Sequence, residues 1–182
     1  MSPDVVVLVD VDGRERGVAD RLVAHREPGQ LHAAVSVMVF DDAGRVLIQQ
    51  RAPGKALFGS WWSNSCCTHP APGESAAEAG ERRAFEELGV RVHGLVEAGA
   101  FVYRARDRST GLVELERDTV VLARSADTPV ADPVEVCAWQ WVSLDALEGS
   151  RRFTPWAERV HTLGAAWGSG TAAGTHGASG GG

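Results

Sequence analysis

No apolar run in the chain is long enough to cross a membrane. The longest near its start, Val5–Val9, has five residues, against about 20 for a spanning helix. Asp4 and Asp10 flank that run, which is not the pattern of a secretory signal. Stretches rich in lysine or arginine are also missing: 18 basic residues stand against 24 acidic ones, for a net charge of −6. That balance argues against a nucleic-acid surface as the main business of the protein. It leaves room for one anionic small molecule, which a few local cations can hold. Cysteine is scarce and odd in number. Only Cys66, Cys67 and Cys137 occur, and adjacent cysteines rarely bridge each other. A disulfide scaffold does not fit. The expectation is a cytoplasmic protein in a reducing compartment, with no membrane or nucleic-acid partner.

What is present is globular. At 182 residues, 44% hydrophobic and 23% charged, the chain suits one domain with a real core and is too short for two. Residues 4–10 read as a strand, followed by an Asp12-Gly13 turn and a polar stretch through Arg21, His25 and Pro28-Gly29. Ala33 to Phe40 is apolar and β-branched, a buried strand, and Asp41 to Gly44 is a hairpin turn into a return strand, Arg45 to Arg51. Pro53 to Gly73 is long and irregular, which in a compact domain points to function. A helix follows, with Ser75 as N-cap, Glu78 completing a capping box and Gly89 at the C-terminal cap. Leu112 to Ala123 and Val136 to Val142 read as strands, and Leu144 to Leu147 as a short helix. Strands outnumber helices, so the class is α/β or α+β on a mixed sheet. One domain is expected over residues 1–162. Residues 163–182, rich in glycine and alanine, are expected to be a disordered tail.

Five residues have metal-ligand chemistry: His25, His32, His69, Glu114 and Glu116. The glutamates are two apart on a predicted strand, so their carboxylates share a face. Three imidazoles and two carboxylates suit a divalent ion such as Mn2+, Mg2+ or Zn2+, with a sixth position open. Spacing alone does not assemble the histidines, and a single histidine is more often solvated or hydrogen-bonded than a ligand. Glu74, Glu78, Glu86 and Glu87 lie on the helix that follows, with Arg83 and Glu87 on one face. They are either magnesium carboxylates or a solvated surface. Cys67, two residues from His69, is either a reactive thiol or a small buried hydrophobe. Trp61, Trp62, Phe101, Tyr103 and Trp156 are either core or the water-poor lining that a cationic centre needs.

Glu74 to Val90, E-x7-R-R-A-F-E-E-L-G-V, resembles the Nudix box, G-x5-E-x7-R-E-U-x-E-E-x-G-U. Thr68 stands where the box has glycine. Arg83 stands where it has its first helix glutamate, part of the metal site in Nudix hydrolases. Arginine there reverses the local charge and speaks against diphosphate hydrolysis. Further segments are L-H-A-A at 31–34, W-S-N-S-C-C-T-H-P at 62–70, G-E at 73–74, Y-R-A at 103–105 and G-L-V-E-L-E at 111–116. With R-R-A-F-E-E-L-G-V at 82–90 they are similar to the metal-dependent (type 1) isopentenyl-diphosphate Δ-isomerase family, over residues 4–160.

The resemblance implies a Nudix-like mixed sheet sandwiched by helices. It implies an isomerase of isoprenoid biosynthesis that interconverts isopentenyl and dimethylallyl diphosphate. In that reading His25, His32, His69, Glu114 and Glu116 hold a divalent ion (Mn2+, Mg2+ or Zn2+). Cys67 and Glu116 carry protons, Tyr103 assists Glu116, and Trp156 faces the cationic carbon. Glu87 belongs to a second site, for Mg2+ that arrives with the diphosphate, and Cys67 is also counted as a metal contact. Arg21, Arg51, Lys55 and Arg83 bind the diphosphate, Arg21 standing where the family commonly has lysine. The expected partner is a small-molecule diphosphate, and the expected state a monomer, with a weak homodimer as the alternative. The alternative function is a Nudix hydrolase of a nucleoside diphosphate derivative, resting on Glu74, Arg82, Glu86 and Glu87. A third reading is a metal-binding module that senses a ligand without turnover. The chemistry suits the residues. An unactivated alkene is a very weak base, so one group must protonate it and a second, on the opposite face, must take a proton away.

Overall fold

The computed structural model describes residues 5–147 and 151–168. Val5–Val9 (β1) and Glu15–Asp20 (β2) form an antiparallel hairpin. Asp10 organises its turn, its Oδ1 accepting the N–H groups of Asp12 (3.0 Å) and Arg14 (2.9 Å). A single helical turn, Arg21–Ala24 (α1), follows under an Asp20 N-cap. Then come His32–Phe40 (β3), Val46–Arg51 (β4), Trp62–Ser63 (β5), Cys66–Thr68 (β6) and the helix Ala76–Leu88 (α2). His93–Arg106 (β7), Val113–Arg124 (β8), Val136–Val142 (β9), a 3₁₀ turn at Leu144–Leu147 and the helix Ala157–Gly168 (α3) complete the order.

The described strands form one mixed sheet with β3 as its hub. β3 runs parallel to β8 along its whole length, pairs antiparallel with β6, and meets β1 at one end and β4 at the other. β7 extends the sheet from β8, and β9 from β4. Both faces of β3 are covered, which explains its unbroken apolar run. Val35, Val37 and Val39, with Val121 and Ala123, pack under Ala79, Ala84 and Leu88 of α2. Met38 and Phe40, with Val120 and Leu122, pack under Trp156 and Val160 on the opposite face. The expected sandwich of a mixed sheet between helices is the observed architecture. α2 begins and ends as its sequence dictates: both halves of the Ser75–Glu78 capping box form, and Gly89 closes the helix at φ 65°.

Four segments depart from expectation. The polar stretch after Gly13 contains β2 and α1, and the 53–73 segment contains β5 and β6. β7, 14 residues long, had no clear signature. Its register shifts between His93 and Val96 and again between Glu97 and Gly99. Such bulges break the two-residue alternation by which a strand is read. The tail expected from residue 163 is helical to Gly168. Leu163 and Trp167 pack onto the core around Phe40. Gly164 lets α3 lie directly on the sheet, since a Cβ there would fall 2.2 Å from Met38 Sδ. The remainder of the expected tail, 169–182, lies outside the described residues.

Candidate active site

Strand register assembles the site. Parallel pairing sets His32 of β3 beside Glu116 of β8, and antiparallel pairing sets Tyr103 of β7 beside the same glutamate. On the other side of β3, Cys67 of β6 stands beside Ser36. Paired residues share a face, and this is the face covered by α3. His25 caps the end of α1, folded back so that its Nδ1 lies 2.6 Å from the Arg21 carbonyl.

The structure brings His25, His32, His69, Glu114 and Glu116 together. One donor atom of each lies within 4.8 Å of all the others. His25 Nε2 is 2.9 Å from Glu114 Oε2, and His69 Nε2 is 3.0 Å from Glu116 Oε1. His32 Nε2 is 3.5 Å from that oxygen and 3.3 Å from His69 Nε2. His25 and His32 direct Nδ1 at backbone carbonyls, of Arg21 and of Gln30 (2.7 Å). Each donates its N–H there, which leaves an Nε2 lone pair facing the cluster. Lone pairs and carboxylate oxygens crowded into one buried space repel unless a cation joins them. The donor set therefore fits a divalent ion of borderline or hard character.

Without such an ion, burial sets the protonation of these groups. Burial lowers His69 to about 4, partly opposed by Glu116. Burial raises Glu114 to about 7, reinforced by the charge of Glu116. Burial also works against charge on Glu116, but hydrogen bonds from His32 and His69 hold it well below the usual carboxylate range. For His25 burial opposes charge, and Glu114 outweighs it and moves the imidazole upward.

The proton carriers stand beside this cluster. The Tyr103 hydroxyl donates to Glu116 Oε2. Burial and the Glu116 charge push that phenol well above its usual range, so it remains a donor. The Cys67 thiol donates to Asn64 Oδ1 at 3.3 Å and lies 3.5 Å from Ser36 Oγ. Burial, with the charge of Asp118, pushes it up to about 11, so the thiol keeps its proton at neutral pH. Cys67 is not one of the five clustered residues; its sulfur is directed at Asn64 and Ser36.

Sequence reasoning missed three supporting residues. Asn64 Oδ1 also accepts the Trp156 indole N–H (3.2 Å), tying thiol and indole to one anchor. Ser36 donates to Asp118 Oδ2 (2.7 Å), and Asp118 is buried. Their signals were positional. Asn64 lies inside the W-S-N-S-C-C-T-H-P segment, while Ser36 and Asp118 continue the two-residue period from His32 and Glu116.

His25, Ser36, Cys67, His69, Tyr103, Glu114 and Glu116 open onto one cavity, about 630 Å³ with its mouth, whose wall also carries Arg21, Arg51, Lys55, Arg83 and Trp156. Arg51 donates twice to the Leu57 carbonyl (3.2 and 3.0 Å), with its guanidinium 5.8 Å from the Trp156 ring centre. The loop that supplies this carbonyl is strained, with Phe58 and Ser60 left-handed at φ 52° and 67°. Asp107 restrains it by accepting the Phe58 N–H at 2.6 Å, a role no motif announces.

Arg83 is buried. Its Nη2 is 2.6 Å from Glu87 Oε1 and 3.0 Å from Glu135 Oε2, and its Nη1 is 3.2 Å from Glu86. Lys55 Nζ pairs with Glu135 and lies 3.8 Å from Glu87. Gln49 donates to the second Glu87 oxygen at 2.7 Å. Glu87 thus stands behind Arg83 instead of in the cavity wall, with both oxygens engaged.

The sheet, its capped helix and the cavity beneath α3 define a protein of the Nudix class. The NUDIX domain family matches residues 30–162. A crystal structure from Deinococcus radiodurans has a TM-score of 0.67 at 22% identity, covering 87% of this chain and 98% of that one. A MutT NUDIX hydrolase from Burkholderia pseudomallei has 0.60 at 20%, covering 74% and 98%. At such identities the likeness is one of fold. Sequence relatives are more specific. The isopentenyl-diphosphate Delta-isomerase of Nocardia farcinica is 48% identical over 160 residues, 85% of this chain and 91% of the relative. That of Halorhodospira halophila is 41% identical over 163 residues, 85% and 91%. The chain belongs to the isopentenyl-diphosphate Δ-isomerase family.

Proposed function

We propose that this chain interconverts isopentenyl and dimethylallyl diphosphate by protonation and deprotonation, in isoprenoid biosynthesis. One observation carries the reading. Cys67 and the Glu116–Tyr103 pair open onto the same aromatic-bearing cavity as Arg21, Arg51, Lys55 and Arg83. Family membership supports it.

Protonating the terminal alkene carbon gives a tertiary carbocation, and loss of a proton from the adjacent methylene completes the shift. Cys67 and Glu116 are the proposed carriers on opposite sides of the carbon chain, one giving and one taking, with roles exchanged in the reverse direction. Tyr103 orients Glu116. The cation would be captured by water, so the lining must be dry and poorly nucleophilic. Trp156, held by Asn64, offers a π face worth about 0.5–2 kcal/mol to a cation. Arg21, Arg51, Lys55 and Arg83 hold the diphosphate, whose binding energy is available to close and dehydrate the site.

A divalent ion held by His25, His32, His69, Glu114 and Glu116, as Mn2+, Mg2+ or Zn2+, would supply the charge that fixes the Glu116 carboxylate. Mg2+ entering with the diphosphate would meet Glu87 only after a change of partners there, so no step is assigned to it. The hydrolase alternative loses support at Arg83, whose guanidinium fills the place of a box glutamate. The enzyme is proposed to act as a cytoplasmic monomer. No described helix is long and apolar enough to cross a membrane.

The test is incubation with isopentenyl diphosphate and magnesium in deuterated water, followed by NMR. Deuterium in a methyl group of dimethylallyl diphosphate is expected. Metal-loaded protein that shows no exchange would sink the reading.

A further inference from the structure

One carboxylate outside the Nudix-box helix organises two of the cavity cations. Glu135 lies just before β9. Its Oε2 pairs with Lys55 Nζ and is 3.0 Å from Arg83 Nη2. Lys55 and Arg83 line the cavity and Glu135 does not, so the carboxylate holds both cations from behind. Its backbone is stitched to the segments that carry them. The Glu135 carbonyl accepts the Ala52 N–H (2.9 Å), and the Ala52 carbonyl accepts the Lys55 N–H (3.1 Å). The Asp132 N–H donates to the Glu87 carbonyl at the end of α2 (2.9 Å), and the Glu135 N–H returns to the Asp132 carbonyl (3.0 Å). Burial opposes charge on Glu135, but Lys55 and then Arg83 bring its carboxyl down to about 2.

We propose that Glu135 is a positioning residue for the diphosphate. It fixes the Lys55 ammonium and the Arg83 guanidinium in the arrangement the ligand needs, so that binding does not first have to order them. This deepens the isomerase reading and rests on it. Charge and geometry make opposite predictions. If the cations acted only as a positive patch, removing the Glu135 charge would tighten anion binding. If their placement matters, it weakens binding.

The probe is inorganic pyrophosphate with magnesium, titrated calorimetrically into the full chain, alongside steady-state isomerisation. Wild-type protein that neither binds pyrophosphate nor isomerises overturns the reading beneath the inference. With binding established, Glu135→Gln is expected to weaken it about tenfold and to raise KM by a similar factor, with kcat within about threefold. Divalent-ion content at the histidine cluster is expected to stay at the wild-type level. In a Lys55→Gln background the same change adds less than about threefold, because one of its two partners is gone. Unchanged or tighter pyrophosphate binding by folded Glu135→Gln, or an effect on kcat alone, overturns the proposal. Should Glu135→Gln fail to fold, Glu135→Asp keeps the charge and shortens the reach. Binding about threefold weaker then supports positioning, and wild-type affinity overturns it.

Discussion

The histidine–glutamate cluster and the Lys55–Arg83 pair face one cavity and meet the same difficulty, buried charge, in opposite ways. The partners of Glu114 and Glu116 are His25, His32 and His69, a donor set that fits a divalent ion. Around Lys55 and Arg83 it comes from within, through Glu87 and Glu135. Buried charges are costly unless paired. One region is therefore a donor set that a divalent ion fits, and the other is paired before any ligand arrives. The two should respond to different perturbations.

The largest effect tests that separation at the proton carriers. Glu116→Gln and Cys67→Ala are expected to lower turnover by about 10³-fold or more while leaving pyrophosphate affinity within about threefold. NMR and calorimetry measure the two, and a parallel loss of both would merge the regions. Next, His32→Ala is expected to cut metal affinity by more than the roughly 10–100-fold typical of a supporting residue. Metal analysis reads this directly. A melting curve reads it as well, because about 2.7 kcal/mol of stabilisation at metal concentrations of 100 Kd should vanish. Smaller again, Lys55→Gln should raise KM about tenfold with metal content unchanged.

Acid sharpens the comparison further. Imidazole ligands must be neutral to hold a metal, so release is expected as pH falls, beginning at His25, the imidazole that Glu114 moves upward. Glu135 sits at about 2 in the folded protein against a usual 4.5. Its contribution to stability is complete above pH 4.5 and is lost as pH falls from 4.5 through 2. Metal release, followed by ion analysis, should precede unfolding, followed by circular dichroism.

Local signals made the frame legible. Ser75, Glu78 and Gly89 bounded α2, and apolar residues marked β3 and β8. Glu114 and Glu116 were legible as a same-face pair, while the histidines needed the family resemblance because three separate segments deliver them. What escaped notice depends on distant partners. Asp107 reaches Phe58 across 49 residues and Glu135 reaches Lys55 across 80, and each looks like a solvated carboxylate in isolation. Arg83 and Glu87 were legible as neighbours on a helix face, but not that the face is buried. α3 was not read from the sequence, because glycine and alanine near its end weakened the pattern. Leu163 and Trp167, four apart, still give it an apolar edge, and tertiary packing overrides weak propensity.

Gly164 has a mechanical consequence. It is the point where α3 rests on Met38, and a methyl group there would have to displace the buried Met38 thioether. Trp156 is joined to the first residue of that helix, so lifting α3 would lift the indole with it. The packing of the helix that follows Trp156 is thus set by a side chain that is not there, at a position whose composition alone suggests a loose end.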